Sequence, residues 1–492
     1  MNNKENDIEL SLKHKTFSNT AWKFLERFFA QGVSLIISIF LARILMPDDF
    51  GVVSIVMIFF TFANVLVSGG LNTALIQKKN ADEEDYSAIL YLSIFISVIA
   101  YIVLFFSAPF ISNLFGKPIL TIIIRIMSLT LPINAVKSVW SAFISSNFQF
   151  KKFFFATFGG TVISAAVGII MALKGFGPWA LVAQQMVNAF IDTLVLMLTT
   201  KIKFVPRINF KKLKALFSYG WKILLANLIG TAYSEIVPFI IGVKYTDSEL
   251  SYYTKGKTFP HAVSSTINNT LSAVLFPALS KKQDNKKIIL DYTRKFIRVS
   301  SFVVAPIMLG LFAISDNFVS VLLTDKWMDA SYYIKIFCIV SLFDVIAIGN
   351  CETIKAIGKS GVYLIIEIIK KSLYLATILM FIFFANNPQL LAIASIVCTA
   401  IQIIVNSIPN KILIGYSFKD QLIDVLPNLL SAGAMCGVVL LIQFTNPIGV
   451  SALIKQIIIG ICIYFTLSFV TKNKSLLYLI DSFKSFMRRK KQ

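Results

Sequence analysis

Two rows of polar side chains recur at helical spacing inside stretches that are otherwise apolar. One is Ser54, Thr61, Asn64, Ser68 and Asn72; the other is Thr254, Lys257, His261, Ser265, Asn268 and Ser272. Steps of three, four and seven put each row on one face of a helix. Amides and hydroxyls in such rows can bond across to a neighbouring helix, or to the hydroxyls of a bound solute. Lys257 and His261 call for water or an anion, because a cation in hydrocarbon is costly. Other charges stand in apolar surroundings too. Glu26 and Arg27 lie early in the first apolar run, and Lys222 and Glu235 share a later one. At 100° per residue those last two are roughly 140° apart, so they face different surroundings. Lys222 is near a helix end and can snorkel, whereas Glu235 is deeper and is the better functional carboxylate. Glu367, Lys370 and Lys371 have the spacing of an intrahelical ion pair. Arg125, Lys137, Asp192, Lys335 and Asp344 stand isolated, with no partner at helical spacing.

Other chemistry is missing. The only histidines are His14 and His261, and Cys338, Cys351, Cys398, Cys436 and Cys462 lack metal-ligand spacing. Buried apolar packing is the ordinary role for such cysteines. Gly358-Lys359-Ser360 looks like the end of a phosphate-binding loop, but the glycine required five positions before Gly358 is Thr353. No catalytic residue, metal or cofactor is expected, beyond coupling to a proton or sodium gradient.

The elements that carry these residues are membrane helices. The 492 residues are 56% hydrophobic and 15% charged, with a mean hydropathy of +0.75, too few charges to cover a soluble surface of that size. Runs of about 20 apolar residues predict fourteen spans. The first lies near 20–45 and the last near 452–471; those near 119–143 and 252–278 are the least apolar. Residues 1–19 are polar and the first apolar run is long enough to span, so no cleavable signal peptide is expected. With the N-terminus inside, thirty Lys and Arg fall in inside segments, against Arg43, Lys117, Lys174, Lys244 and Lys326 outside. This bias sets both termini in the cytoplasm. It also accounts for the net charge of +22 without a nucleic-acid partner. Arg207–Phe217 and Lys474–Lys491 mix apolar with basic residues and are expected to lie on the anionic inner leaflet, in contact with membrane lipids.

Two halves of the chain repeat. Trp22-Lys23-Phe24-Leu25 recurs as Trp221-Lys222-Ile223-Leu224; Thr61, Asn64 and Ser68 recur as Ser265, Asn268 and Ser272; Lys78-Lys79 recurs as Lys281-Lys282. The offsets are 199, 204 and 203 residues. Six spans separate the copies, so the repeat is parallel. The expected fold is therefore all-α and integral to the membrane, with two six-helix lobes and two further C-terminal helices. The lobes cover 1–200 and 217–413, joined by an amphipathic linker at 201–216. The additional helices cover 414–471 and a basic tail 472–492. Polar rows on equivalent helices point to a shared cavity.

Leu41-Ala42-Arg43-Ile44-Leu45-Met46-Pro47-Asp48-Asp49-Phe50-Gly51 resembles the polysaccharide-exporter branch of the multidrug/oligosaccharidyl-lipid/polysaccharide flippase superfamily. The similarity continues through Ala74-Leu75-Ile76-Gln77-Lys78, Asp82-Glu83-Glu84-Asp85 and Gly175-Phe176-Gly177-Pro178-Trp179-Ala180-Leu181. It is nearest to the colanic-acid and teichuronic-acid exporter type. Relatives often carry an acidic residue where this chain has Ser68.

The resemblance implies two lobes in a V with helices 1, 2, 7 and 8 lining the cavity, in a bacterial cytoplasmic (inner) membrane. It implies translocation of an oligosaccharide on a polyprenyl diphosphate by alternating access, for surface polysaccharide synthesis. On that reading Arg27, Lys257 and His261 neutralise the diphosphate. Asn64, Ser68 and Asn268 meet sugar hydroxyls, and Glu235 and Glu367 are candidates for cation or proton coupling. The glycan polymerase and export machinery are the expected protein partners. Two rivals are a multidrug or cation exporter of the same superfamily and a membrane glycosyltransferase or polymerase. The outside loops are too short for the catalytic domain that the last would need.

Overall fold

The computed structural model describes residues 29, 31–78, 81–147, 149–206, 209–280, 285–384, 387–445 and 448–489. Among them every regular element is a helix. The chain forms two compact units, Met1–Leu250 and Ser251–Gln492. The first contains α1 (Gln31–Ile44), α2 (Pro47–Ser68), α3 (Leu71–Gln77), α4 (Glu83–Leu114), α5 (Ile119–Ser128), α6 (Thr130–Ser146), α7 (Phe150–Leu173), α8 (Pro178–Thr199) and α9 (Phe210–Lys244). Helix α10 (Asp247–Ser280) starts at the unit boundary. It is followed by α11 (Lys286–Leu322), α12 (Ala330–Ala356), α13 (Ser360–Phe384), α14 (Pro388–Ile414), α15 (Phe418–Thr445), α16 (Val450–Val470) and α17 (Lys474–Arg489).

Among the described residues, eleven helices are long and apolar enough to cross a membrane. The three other expected spans correspond to α1, α10 and α13. Helix α1 is the described part of the first, α10 carries the lysine and histidine of the second polar row, and α13 holds Glu367, Lys370 and Lys371. The chain is thus an all-α, multi-pass membrane protein of about fourteen spans. Large apolar side chains point outward, Phe383 being 85% and Phe106 75% exposed. That surface is stable only against lipid.

Two expected spans are interrupted, each for a local reason. The row Ser54–Asn72 does not stay on one helix. Residues Gly69 and Gly70 turn the chain between α2 and α3, and Asn72 falls beyond the turn. The span near 119–143 divides at Leu129. Pro132 has no N–H to give the Ser128 carbonyl, so the helical ladder lapses there.

In the first unit α7 pairs with α8, α4 packs on α5 and α6, and α9 lies along α2, α3 and α4. Its core includes Leu75, Tyr86, Ile89, Trp140 and Leu196. The linker is fastened to this core. Ile202, Phe204, Leu213 and Leu216 pack on it, Trp140 Nε1 donates to the Thr200 carbonyl at 3.1 Å, and the Val205 N–H donates to Ser87 Oγ at 2.9 Å. Phe210 and Phe217 of the same amphipathic segment stay exposed. The start of α4 supplies the polar half of the fastening. The Asp85 N–H donates to the Asp82 carboxylate at 3.0 Å, and the Asp82 N–H donates to Asp85 at 3.1 Å. This reciprocal cap satisfies helix-end donors. Lys212 bridges Asp82 and, at 2.8 Å, Glu84. The hydrogen bond from Lys212 is the main reason the Asp82 carboxyl is held down at about 2.

The second unit is built on α11, which packs on α12 and α15, while α14 packs on α12 and α13. Its core includes Leu279, Ile297, Ile346 and Tyr416. Polar side chains are buried here as well. Arg294 and Arg298 of α11 both bind Asp424 of α15, whose second oxygen also accepts from Tyr416 at 2.9 Å. Asn350, Ser407, Asn410 and Gln421 bond to one another across α12, α14 and α15. Several of these contacts join helices far apart in sequence, Arg294 to Asp424 and Asn350 to Gln421 among them, in surroundings where an unmet polar group is costly.

Candidate functional site

In the first unit, the polar row of α2 reaches α6. Asn134 donates its amide to Asn64 Oδ1 at 2.9 Å. Ser68 Oγ donates to the Asn64 carbonyl at 2.8 Å, and Thr61 and Ser54 bond back to their own helix in the same way. Asn64 and Ser68 are half-buried, so each keeps an accessible edge while part of its hydrogen-bonding capacity is spent inside the protein. Arg27 and Glu26 lie outside the described residues.

The other side of α2 is different in kind. Ile58, Phe59, Phe62 and Leu66 line a cavity of about 680 Å³, together with residues of α4 and with Glu235 and Phe239 of α9. Position 62 is roughly 200° from position 64 on a helix, so α2 separates a polar row from an apolar chamber. Glu235 belongs to the chamber, and Ser234 Oγ lies 3.4 Å from its Oε1.

In the second unit α10 carries Lys257 half-buried, His261 exposed and Asn268 buried. Asn268 is 4% exposed and its Oδ1 has no hydrogen-bond partner among the described residues. The helix is pressed closely against α12: a Cβ on Gly256 would run into Tyr333, and the rings of Tyr253 and Phe337 meet at 5.2 Å. On α13, Glu367 takes the hydrogen bond of Lys370 at 2.5 Å, the intrahelical pair that its spacing predicts.

Residues that the sequence leaves isolated acquire partners. Lys137 of α6 binds Asp192 of α8 at 2.6 Å. Lys335 of α12 binds Asp316 of α11 at 2.7 Å, which also accepts from Gln443. Arg125 donates to the Phe105 carbonyl at 3.2 Å and lies 4.3 Å from that ring's centre. Asn134, absent from the sequence reading, joins the candidate site through Asn64. An amide in an apolar run was a visible signal, but nothing local paired it with a residue 70 positions away.

Residues 40–332 match the family described as "Polysaccharide biosynthesis protein". The chain is 25% identical over 502 residues to an uncharacterized membrane protein in the cps region of Klebsiella pneumoniae, covering 97% of this chain and 99% of that one. It is 23% identical to the lipopolysaccharide biosynthesis protein WzxC of Escherichia coli (strain K12), covering 69% of each. Its fold is similar to that of the lipid II flippase MurJ in an inward closed conformation. The TM-score is 0.76 at 17% identity, over 91% of this chain and 98% of that one. The chain therefore belongs to the family described as "Polysaccharide biosynthesis protein", whose model matches more than half of its length.

Proposed function

We propose that this protein is a flippase. It moves polyprenyl-diphosphate-linked oligosaccharide units across the bacterial cytoplasmic membrane, for surface polysaccharide synthesis. The observation that carries the reading is the presence of accessible amide and cationic side chains within membrane helices of a polysaccharide biosynthesis chain. Sugars and a diphosphate cannot cross about 30 Å of hydrocarbon unaided. Lys257 and Arg27 supply positive charge for the diphosphate. Asn64 and Ser68 exchange hydrogen bonds with sugar hydroxyls, Asn268 joins them in a state that uncovers its buried Oδ1, and His261 adds charge when protonated. Contacts of this kind are weak individually, which suits release on the far side. Transport by alternating access leaves the lipid tail in the bilayer. Glu235 and Glu367 are the carboxylates through which a proton or sodium gradient would give direction, and a glycan polymerase would receive the product. The protein is a transporter in this reading, with both termini in the cytoplasm.

The test is the sidedness of lipid-linked oligosaccharide in a deletion strain, read with a membrane-impermeant glycosidase. Accumulation on the cytoplasmic face, reversed by the wild-type gene, supports the reading. Normal sidedness with normal surface glycan overturns it.

The chamber beside α2 favours one second reading, export of lipophilic cations, because it combines Phe59, Phe62 and Phe239 with a carboxylate. Ethidium efflux by the wild type that Glu235→Gln abolishes would establish that activity.

A further inference from the structure

Lys137 and Asp192 form an ion pair inside the first unit, at positions that neither polar row includes. The ammonium and Asp192 Oδ2 are 2.6 Å apart, and the two side chains are unequally placed: Lys137 is 32% exposed and Asp192 only 6%. The carboxylate is therefore the sunk half of the pair and the ammonium the accessible half. Space for the carboxylate comes from α7, where a Cβ on Gly160 would overlap Asp192 Oδ1. One turn before Lys137 on the same face of α6 is Asn134, which bonds to Asn64 of α2 at 2.9 Å. One span lies between α2 and α6, so both run in the same sense across the bilayer. Lys137, one turn beyond Asn134, comes level with Ser68, four residues beyond Asn64. The polar row of α2 thus continues onto α6 and ends at a cation.

Stability alone is a poor reason for such a pair. Desolvating two charges offsets most of their attraction, and apolar residues of similar volume usually do as well. An ionisable residue within a membrane span is by default a functional candidate. An ammonium has three donors, and among the described residues Asp192 is the one acceptor bonded to Lys137. We propose that Lys137, held in place by Asp192, is a contact for the diphosphate of the lipid-linked substrate; this rests on the flippase reading above. Lys137 touches the anion, and Asp192 is a positioning residue. Asp192 keeps the ammonium oriented before the substrate arrives. It also competes with the incoming anion for the same cation, which limits affinity and permits release.

The test uses the full-length protein in a deletion strain and purified in detergent, with farnesyl diphosphate as the anionic probe and farnesol as its neutral control. Lys137→Met is expected to weaken farnesyl diphosphate binding about tenfold, the loss of one charge-assisted contact, with farnesol binding unchanged and surface glycan reduced. Lys137→Arg restores most of both. The charge swap Lys137→Asp with Asp192→Lys separates the roles, because it keeps the pair and buries the cation. If the swapped protein accumulates normally but neither binds the diphosphate nor supports glycan display, the proposal holds. Wild-type display from the swap, or wild-type farnesyl diphosphate affinity in Lys137→Met, overturns it. If Lys137→Met fails to accumulate, the swap and Lys137→Arg decide in the same way. Failure of the flippase reading is distinct: it shows as normal glycan display in the deletion strain itself.

Discussion

The side-chain amide of Asn134 on α6 donates to Oδ1 of Asn64 on α2 at 2.9 Å. A row that sequence marks as facing a solute therefore also bonds to a neighbouring helix, and the two roles separate experimentally. Asn134→Ala should lower thermal stability in detergent by about 0.6 kcal/mol, the usual size of an interhelical hydrogen bond in membranes. Asn64→Ala should lose the same stability and, in addition, glycan display. A double-mutant cycle with coupling near zero would show that the bond contributes nothing.

Asp424 is the shared partner of Arg294, Arg298 and Tyr416, and its side chain is 2% exposed. Replacing it with Asn leaves two guanidinium groups without their anion. Both guanidinium groups keep some exposure, 35% and 28%, so the loss is that of charge-assisted hydrogen bonds, about 2 kcal/mol. Asp424→Asn should therefore lower the melting temperature or yield of the purified protein markedly, and Tyr416→Phe only slightly. Equal, small effects would mean that water replaces the carboxylate.

The linker gives a pH-dependent prediction. Asp82 is held at about 2, chiefly by its hydrogen bond from Lys212. A carboxyl with a depressed folded-state value contributes stability that is complete above its unfolded value, about 3.9, and is lost as pH falls through the folded value. Lys212→Met should thus speed tryptic cleavage after Lys201 and Lys203 at neutral pH. The stability gap between it and the wild type should persist to about pH 4 and close toward pH 2. A gap that closes already between pH 7 and 5 would point to a different titrating group.

Gly70 abuts the backbone of Gly220 on α9, and a Cβ there would collide with the Gly220 carbonyl. The neighbouring Gly69 carbonyl accepts from Asn227 of the same helix. Gly70→Ala should therefore pry α3 from α9 and lower the folded yield, by overpacking worth about 1–3 kcal/mol. Gly32→Ala, with open space around the position among the described residues, is the matched control. Size-exclusion profiles in detergent compare the two.

Membrane class, helix type and the polar rows were legible from the chain alone. All of them depend on local quantities: the apolar run length needed to span a bilayer, and the angle between residues on one helix. The pair Glu367 and Lys370 was legible for the same reason, being one turn apart. Even within single spans, local reading failed where the chain left the helix. Asn72 dropped out of its row at Gly69-Gly70, and one span divided ahead of Pro132.

Tertiary structure alone decided which isolated charges are partners. Lys137 and Asp192 are 55 positions apart, Arg294 and Asp424 are 130 apart, and no periodicity links such residues. It also decided that α2 faces an apolar chamber on one side and an amide of α6 on the other. The sequence determined that charged and amide side chains must lie within the bilayer, because hydropathy and spacing fix depth and helix face. Their partners follow from which helices pack side by side, a matter of close approach between surfaces that no local pattern records.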